Sequence, residues 1–218
     1  MSLQKLKIVI VGGVAGGASA ATRARRCNEH ADIILLEKDE FVSFANCGMP
    51  YHIGGEIPDR RQLLVATKEL LERRFRLDVR TRSQAVRIDR QGKNVLVRRV
   101  DDGTEYAQPY DKLILSPGAA PFVPTMDGTD AKGVFTLRNI ADMDRIRAAV
   151  DQAPTAVRRA VVIGAGFIGM EMVEQLVGLG FAVSLAELQG QVLPPMDPEM
   201  VAPLQDELRS RGVTLELG

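Results

Sequence analysis

The sequence predicts an α/β fold: two βαβ units of parallel strands flank an antiparallel β insertion. Three observations carry this expectation. Near the N-terminus a β-branched strand, a glycine-rich turn, an Ala-rich helix and a second strand ending in an acid follow one another in order. The same string of parts returns near residue 161. Between the two, short β-branched runs surround the turn signal Asp101-Asp102-Gly103.

The first unit opens with Ile8-Val9-Ile10-Val11, an uninterrupted apolar run that fits a strand buried on both faces. The turn Gly12-Gly13-Val14-Ala15-Gly16-Gly17 follows, then a helix over roughly Ala18 to Cys27 and a strand Ile33-Ile34-Leu35-Leu36. Glu37 ends that strand, 20 residues past the last glycine. Glycines let the backbone approach a pyrophosphate, a helix N-terminus favours its charge, and the acid suits ribose hydroxyls, so the unit is Rossmann-like. One departure stands out. Val14 occupies the second fingerprint position, where a Cβ crowds a pyrophosphate unless the turn shifts.

Residues 75–115 read as hairpin strands, with Val95-Leu96-Val97 and Leu113-Ile114-Leu115 as the strongest runs. Ser116-Pro117-Gly118-Ala119-Ala120-Pro121 closes a strand and leads into a Pro-containing linker, which places the domain boundary near 118–125 and the domains at 1–120 and 121–218. A helix is expected over Ile140 to Gln152. The second unit then runs through Val161-Val162-Ile163, the turn Gly164-Ala165-Gly166-Phe167-Ile168-Gly169, a helix over roughly Met170 to Gly178, and the strand Ala182 to Ala186. Glu187 stands 18 residues beyond its last glycine. A helix over 198–211 and a strand Val213-Thr214-Leu215 complete the pattern. A single glycine fingerprint is weak evidence; two units with every part in order are strong.

Composition narrows the function classes. Lys+Arg and Asp+Glu are both 28, which lacks the basic footprint of a nucleic-acid binder. No apolar run reaches the ~18 residues of a membrane span, and the N-terminus passes directly into a strand rather than a secretory core. Met1-Ser2-Leu3 fits a cloning remnant. Two cysteines, Cys27 and Cys47, form no disulfide framework and suit a reducing compartment, so a cytoplasmic location is expected. No metal-ligand set is assigned.

The chemistry concentrates in Ser43-Phe44-Ala45-Asn46-Cys47-Gly48-Met49-Pro50-Tyr51-His52. A dithiol flavoenzyme places two cysteines as Cys-x-x-x-x-Cys, and here the second position is His52. A lone cysteine at the start of a helix can instead cycle between thiolate and mixed disulfide or sulfenic acid. The competing reading of Cys47 is a small buried hydrophobe. Ser19, Arg23 and Arg26, spaced by four and three, share one helix face suited to phosphate charge; a solvated face is the alternative. His52 is read as a packed or hydrogen-bonding residue, His30 as surface, Cys27 as structural, and Arg73, Arg74 and Arg76 as a solvated face.

Ser-Phe-Ala-Asn-Cys-Gly-x-Pro-Tyr, preceded by Gly-Gly-Val-Ala-Gly-Gly, resembles the CoA-disulfide reductase branch of the pyridine nucleotide-disulfide oxidoreductases, which includes CoA-persulfide and polysulfide reductases. The resemblance runs over essentially the whole chain, and within that branch Val14 is a familiar variant. It implies FAD on the first unit: the Gly12–Gly17 turn at the pyrophosphate, Glu37 and Lys38 at the ribose, the Ala85 backbone at the adenine, and Ser116, Pro117 and Gly118 lining the flavin, with Arg138 close by. It implies NADH or NADPH on the second unit, held by Gly164, Gly166, Phe167, Ile168, Gly169 and Glu187, with Phe167 as a gate residue. Glu187 favours NADH, because a carboxylate repels a 2′-phosphate. Cys47 and Glu171 carry the catalytic roles, and Ser19, Arg23, Arg26, Ser43 and Asn46 the CoA contacts. A full-length homodimer is implied, and relatives are longer, so the rest of the nicotinamide domain and a dimerisation domain are expected to be missing. The alternatives are an NADH oxidase or peroxidase using a cysteine sulfenic acid, and a nucleotide-binding fragment without turnover.

Overall fold

The computed structural model describes residues 5–218, so Met1-Ser2-Leu3 lies outside the described residues. The first half of the chain runs β1 (Lys7–Val11), α1 (Ala15–Cys27), β2 (Asp32–Leu36), α2 (Met49–Gly54), α3 (Lys68–Phe75), β3 (Asp78–Arg80), β4 (Ser83–Asp89), β5 (Asn94–Arg99), β6 (Glu105–Pro109) and β7 (Lys112–Leu115). It continues through α4 (Ile140–Gln152), β8 (Arg159–Ile163), α5 (Phe167–Gly178), β9 (Ala182–Glu187), α6 (Pro198–Ser210) and β10 (Thr214–Leu217). These elements form two compact units. One holds the chain up to Ala45 together with Arg61–Ala120; the other holds Asn46–Arg60 and Pro121–Gly218.

In the first unit a parallel sheet has the order β3-β2-β1-β7. Alternate residues of β1 and β2 face opposite ways, and both faces are covered. Ile8, Ile10, Ile33 and Leu35 pack with Ala21 of α1, Leu71 of α3 and Val79. Val9, Ile34 and Leu36 pack instead against Val95 and Val97 of β5. That two-sided burial is why the strands read as continuous apolar runs. The antiparallel sheet β4-β5-β6 is the insertion, and a β-bulge interrupts its register between Ala85 and Arg87.

One expectation needs correction here. Leu113-Ile114-Leu115 is not a hairpin strand: it lies in β7, parallel to β1, with Val9 opposite Leu113. Two hydrogen bonds pin the chain beside β1 as it leaves the insertion, Asp111 N–H to the Lys7 carbonyl and Lys7 N–H to the Asp111 carboxylate (2.9 and 2.7 Å). Short apolar runs have no periodicity that separates a hairpin strand from a crossover strand.

Helix α1 begins at Ala15 rather than Ala18, because the last residues of the glycine turn are already helical. Ala18 and Ala21 are buried on it. Arg25, four residues past Ala21, turns inward and donates to the carbonyls of Phe75, Asn28, Glu29, Ala31 and Arg76 at 2.7–3.3 Å. Cys27, read as structural, is exposed. Six residues on from Ala21, it falls roughly 120° off the packed face.

In the second unit β10-β9-β8 form a parallel sheet with β8 at an edge, where Val161 and Ile163 remain exposed. Helix α4 starts at a capping box, in which the Asn139 side chain accepts from Asp142 N–H and the Asp142 carboxylate accepts from Asn139 N–H. Helix α2 packs against α5 and α4. No described helix is long and apolar enough to cross a membrane.

Candidate functional site

The two glycine turns are built alike, bond by bond. Gly12 and Gly164 adopt φ +94 and +96, a left-handed region costly for any side chain. Each N–H donates at 2.8 Å to a carbonyl of the second strand, Leu36 in one unit and Ala186 in the other. A Cβ on Gly17 would collide with the Gly12 carbonyl, and one on Gly169 with the Gly164 carbonyl, so both helices can lie tight on their strands. The acids close each turn from behind. Glu37 accepts from Gly13 N–H (2.7 Å) and Asp39 N–H (3.0 Å); Glu187 accepts from Ala165 N–H (2.8 Å) and Gln189 N–H (2.9 Å). The N–H groups of Gln189 and Ala165 hold the Glu187 carboxyl below its ordinary range.

The likeness extends beyond the sequence pattern. Ser43 N–H bonds the Gly13 carbonyl and Leu193 N–H bonds the Ala165 carbonyl, at 2.9 and 2.8 Å. Ser43 and Leu193 share the left-handed φ of 46 and 45, a strain of about 1 kcal/mol or more for each non-glycine residue. Helices α1 and α5 begin with no side-chain cap and no acid in the first turn, whereas α3 is capped by Thr67 and α4 by Asn139. Their first-turn N–H groups lack intrahelical partners and suit an anion. At Gly166 a Cβ would meet nothing within 4 Å, so the space over that turn is open to a ligand.

Other residues expected at the first turn fall into two groups. Ser116 and Pro117 close on it: a Cβ on Gly12 would strike the Ser116 carbonyl, and one on Gly16 would lie 3.0 Å from Ser116 Oγ. Gly118 turns the chain away with φ +70. Ala85 sits half-buried where the β4 bulge begins, and Val14 and Ala15 lead from the turn into α1. Lys38 is exposed beside Glu37. Arg138 belongs to the second unit, where its N–H donates to Asp142 (2.9 Å). Ser19, Arg23 and Arg26 are all exposed on α1, so the arginine run divides into one inward staple, Arg25, and two outward guanidinium groups, of which Arg26 lies over the Phe75 ring. Ser43 falls in the first unit and Asn46 in the second.

Cys47 lies in a one-turn 3-10 helix, Asn46–Gly48, just ahead of α2. It is therefore not in the first turn of the α-helix. The thiol is exposed, which removes the reading as a buried hydrophobe. His52 supplies no second thiol; its Nδ1 bonds the Ile57 carbonyl at 2.7 Å and fixes the loop after α2. The sequence reading missed Tyr51, four residues past Cys47. The Glu171 carboxylate first, then burial, Glu174, Glu56 and Cys47, push the Tyr51 phenol above its ordinary value. Glu171 of α5 is thus brought into electrostatic range of the residues after Cys47, and Phe167 and Ile168 stand exposed at the start of the same helix. Two further residues tie α2 down. Gln175 donates to Glu56 (2.8 Å), and Arg147 donates to the carbonyls of Ile53 (2.9 Å) and His52 (3.3 Å). The spacing of 171, 174 and 175 on one helix was the available signal, but nothing local says which helix they face.

Residues 6–218 match the family model described as pyridine nucleotide-disulphide oxidoreductase. The chain is 39% identical over 215 residues to a coenzyme A disulfide reductase of Staphylococcus aureus (strain Newman), covering 97% of this chain and 47% of that protein. It is similar to the reduced CoADR-RHD of Bacillus anthracis, with 48% identity and a TM-score of 0.94 over 99% of this chain and 38% of that one. A NAD-dependent persulfide reductase from A. fulgidus gives 34% identity and a TM-score of 0.91 over 97% of this chain and 39% of that one. The chain spans about half the length of the curated relatives it matches.

Proposed function

The chain belongs to the pyridine nucleotide-disulphide oxidoreductase family, and from that premise we propose that it carries the nucleotide and thiol sites of an NAD(P)H-driven reductase of CoA disulfide or CoA persulfide. The observation that carries this reading is an exposed Cys47 with His52, not a second cysteine, five residues on. Such a site handles one substrate sulfur at a time.

The first unit suits FAD. The Gly12–Gly17 turn and the uncapped N-terminus of α1 suit a pyrophosphate, with Glu37, Lys38, Ala85, Ser116, Pro117 and Gly118 as the remaining contacts from this unit. The second unit suits the nicotinamide nucleotide through Gly164, Gly166, Phe167, Ile168, Gly169 and Glu187. Bound FAD supplies two-electron relay between nicotinamide and sulfur. The chain's own chemistry is at Cys47. Its thiolate attacks one sulfur of the substrate, a Cys47–substrate disulfide forms, and the other sulfur leaves as a thiolate and takes a proton. Two electrons then break the mixed disulfide, release the second thiol and restore Cys47. Arg23, Arg26 and Ser19 present charge and a hydroxyl suited to CoA phosphates, with Ser43 and Asn46 contacting the pantetheine arm. Glu171 places its carboxylate near the residues that follow the thiol.

Glu187, held ionised, favours NADH over NADPH. The full-length protein is proposed to work as a cytoplasmic homodimer. NADH-dependent turnover with CoA persulfide, CoA disulfide, peroxide and oxygen tests the reading: the two CoA substrates should lead. If peroxide or oxygen leads and Arg23→Ala changes nothing, the CoA assignment fails in favour of an oxidase or peroxidase. Sulfur reduction that survives Cys47→Ser would defeat the mechanism.

A further inference from the structure

Within the second unit, the segment that follows Cys47 is fastened to helices far away in sequence. Gln175 on α5 is only 4% exposed and fills the space over Gly54, where a Cβ would collide with its amide. Its Nε2 donates to Glu56 Oε1 at 2.8 Å. Gly55, at φ +91, turns the chain so that Glu56 can come back to that amide. Arg147 of α4 holds the closing carbonyls of α2, and is itself oriented by Asp151 through two contacts at 2.9 and 2.8 Å. Arg60 and Asp144 add a two-pronged pair at 2.8 Å for each bond. A six-residue helix is too short to persist by its own hydrogen bonds, so these tertiary fasteners decide where it lies.

We propose that Gln175 is a positioning residue for Cys47: its bond to Glu56 and its packing on Gly54 lock α2 to α5, and this fixes the short turn that presents the thiol. The inference rests on the reading of Cys47 as the reactive thiol. It adds that the thiol is held by the helix that begins at the second glycine turn and carries Glu171. Loosening α2 frees the Asn46–Gly48 turn that leads into it, and the thiol is no longer presented in one fixed geometry.

The test uses the chain with Cys27→Ser, leaving Cys47 as its only thiol, and follows alkylation by iodoacetamide at neutral pH together with hydrogen exchange of residues 46–55. Glu56→Ala removes the acceptor at an exposed position without disturbing the core. Gln175→Glu sets two carboxylates against each other, and Glu56→Gln combined with Gln175→Glu restores the bond with donor and acceptor exchanged. Both single variants should slow alkylation at least about threefold and speed exchange in α2 about tenfold, and the double variant should return within about twofold of the parent. A pure charge effect predicts the same slowing in Gln175→Glu but faster alkylation in Glu56→Ala; a faster Glu56→Ala, or a double variant that does not recover, overturns the proposal. If Gln175→Glu fails to fold, Glu56→Ala alone decides, and an unchanged alkylation rate overturns it. Cys47→Ser turnover is read separately, so a failed thiol mechanism and a failed positioning role give different results.

Discussion

At the scale of single residues, the buried acid Glu37 and the Tyr51 phenol are the informative groups. Glu37 is 8% exposed and satisfies two backbone N–H groups, Gly13 and Asp39. Glu37→Ala leaves both without an acceptor and should cost about 2–4 kcal/mol, whereas Glu37→Gln retains one acceptor and should cost less. Urea unfolding of the three proteins checks the order. Tyr51 gives a second, independent reading. Because the Glu171 carboxylate is the largest cause of its raised pKa, neutralising that charge lets the phenol ionise at lower pH. Spectrophotometric titration of Glu171→Gln should therefore move one of the three tyrosines to lower pH and leave the other two in place. No movement would mean that Glu171 does not face Tyr51.

At the scale of elements, α1 carries two kinds of arginine. Arg25 is spent on five carbonyls around the helix end, so Arg25→Ala should destabilise the first unit by about 2–4 kcal/mol. Arg23 is exposed, and Arg23→Ala should change stability by no more than about 0.5 kcal/mol. Its effect belongs to the proposed CoA contact, as a rise of about tenfold in KM for CoA disulfide with kcat little changed. Thermal melts beside initial-rate kinetics separate the two. In the sequence these arginines are three residues of one basic run, and the family resemblance together with helical spacing singled out Arg23 and Arg26. The spacing was correct about direction but silent about partners: the five carbonyls come from the loop after α1 and from the end of α3, 50 residues away.

At the scale of the molecule, the chain divides into two compact units that share one device, so pH dependence should be traceable to a unit. Glu187 is held below the ordinary carboxylate value of 4.5 by Gln189 and Ala165 N–H groups. A depressed folded-state pKa contributes stability that is full above the unfolded value and is lost as pH falls through the folded one. The second unit should therefore weaken as pH drops below about 4.5, and Glu187→Gln should flatten that acid limb while leaving the first unit's melting unchanged. Differential scanning calorimetry from pH 7 to 3 tests this, with two transitions expected instead of one.

Much of this protein is local, and local features were legible from the residues alone. The glycines, the helices α1, α4 and α5, the parallel strands and the two acids follow from turn chemistry and apolar periodicity acting over a few residues. The spacing of Cys47 and His52 excludes a Cys-x-x-x-x-Cys pair, and the surrounding motif, not the cysteine alone, carries the proposal of a single-thiol site. Tertiary structure decided what depends on residues distant in the chain. It set β7 beside β1, because two bonds to Lys7 outweigh hairpin continuity. It carried the likeness of the two glycine turns on to Ser43 and Leu193, whose strained backbones no sequence pattern announces. It also grouped Asn46–Arg60 with Pro121–Gly218, so that the thiol segment lies in the same unit as Glu171 and Gln175. The physical reason is the same in each case: a turn or a helix is chosen by neighbours in the chain, whereas the partner of a short helix is chosen by whichever surface buries it and satisfies its free carbonyls.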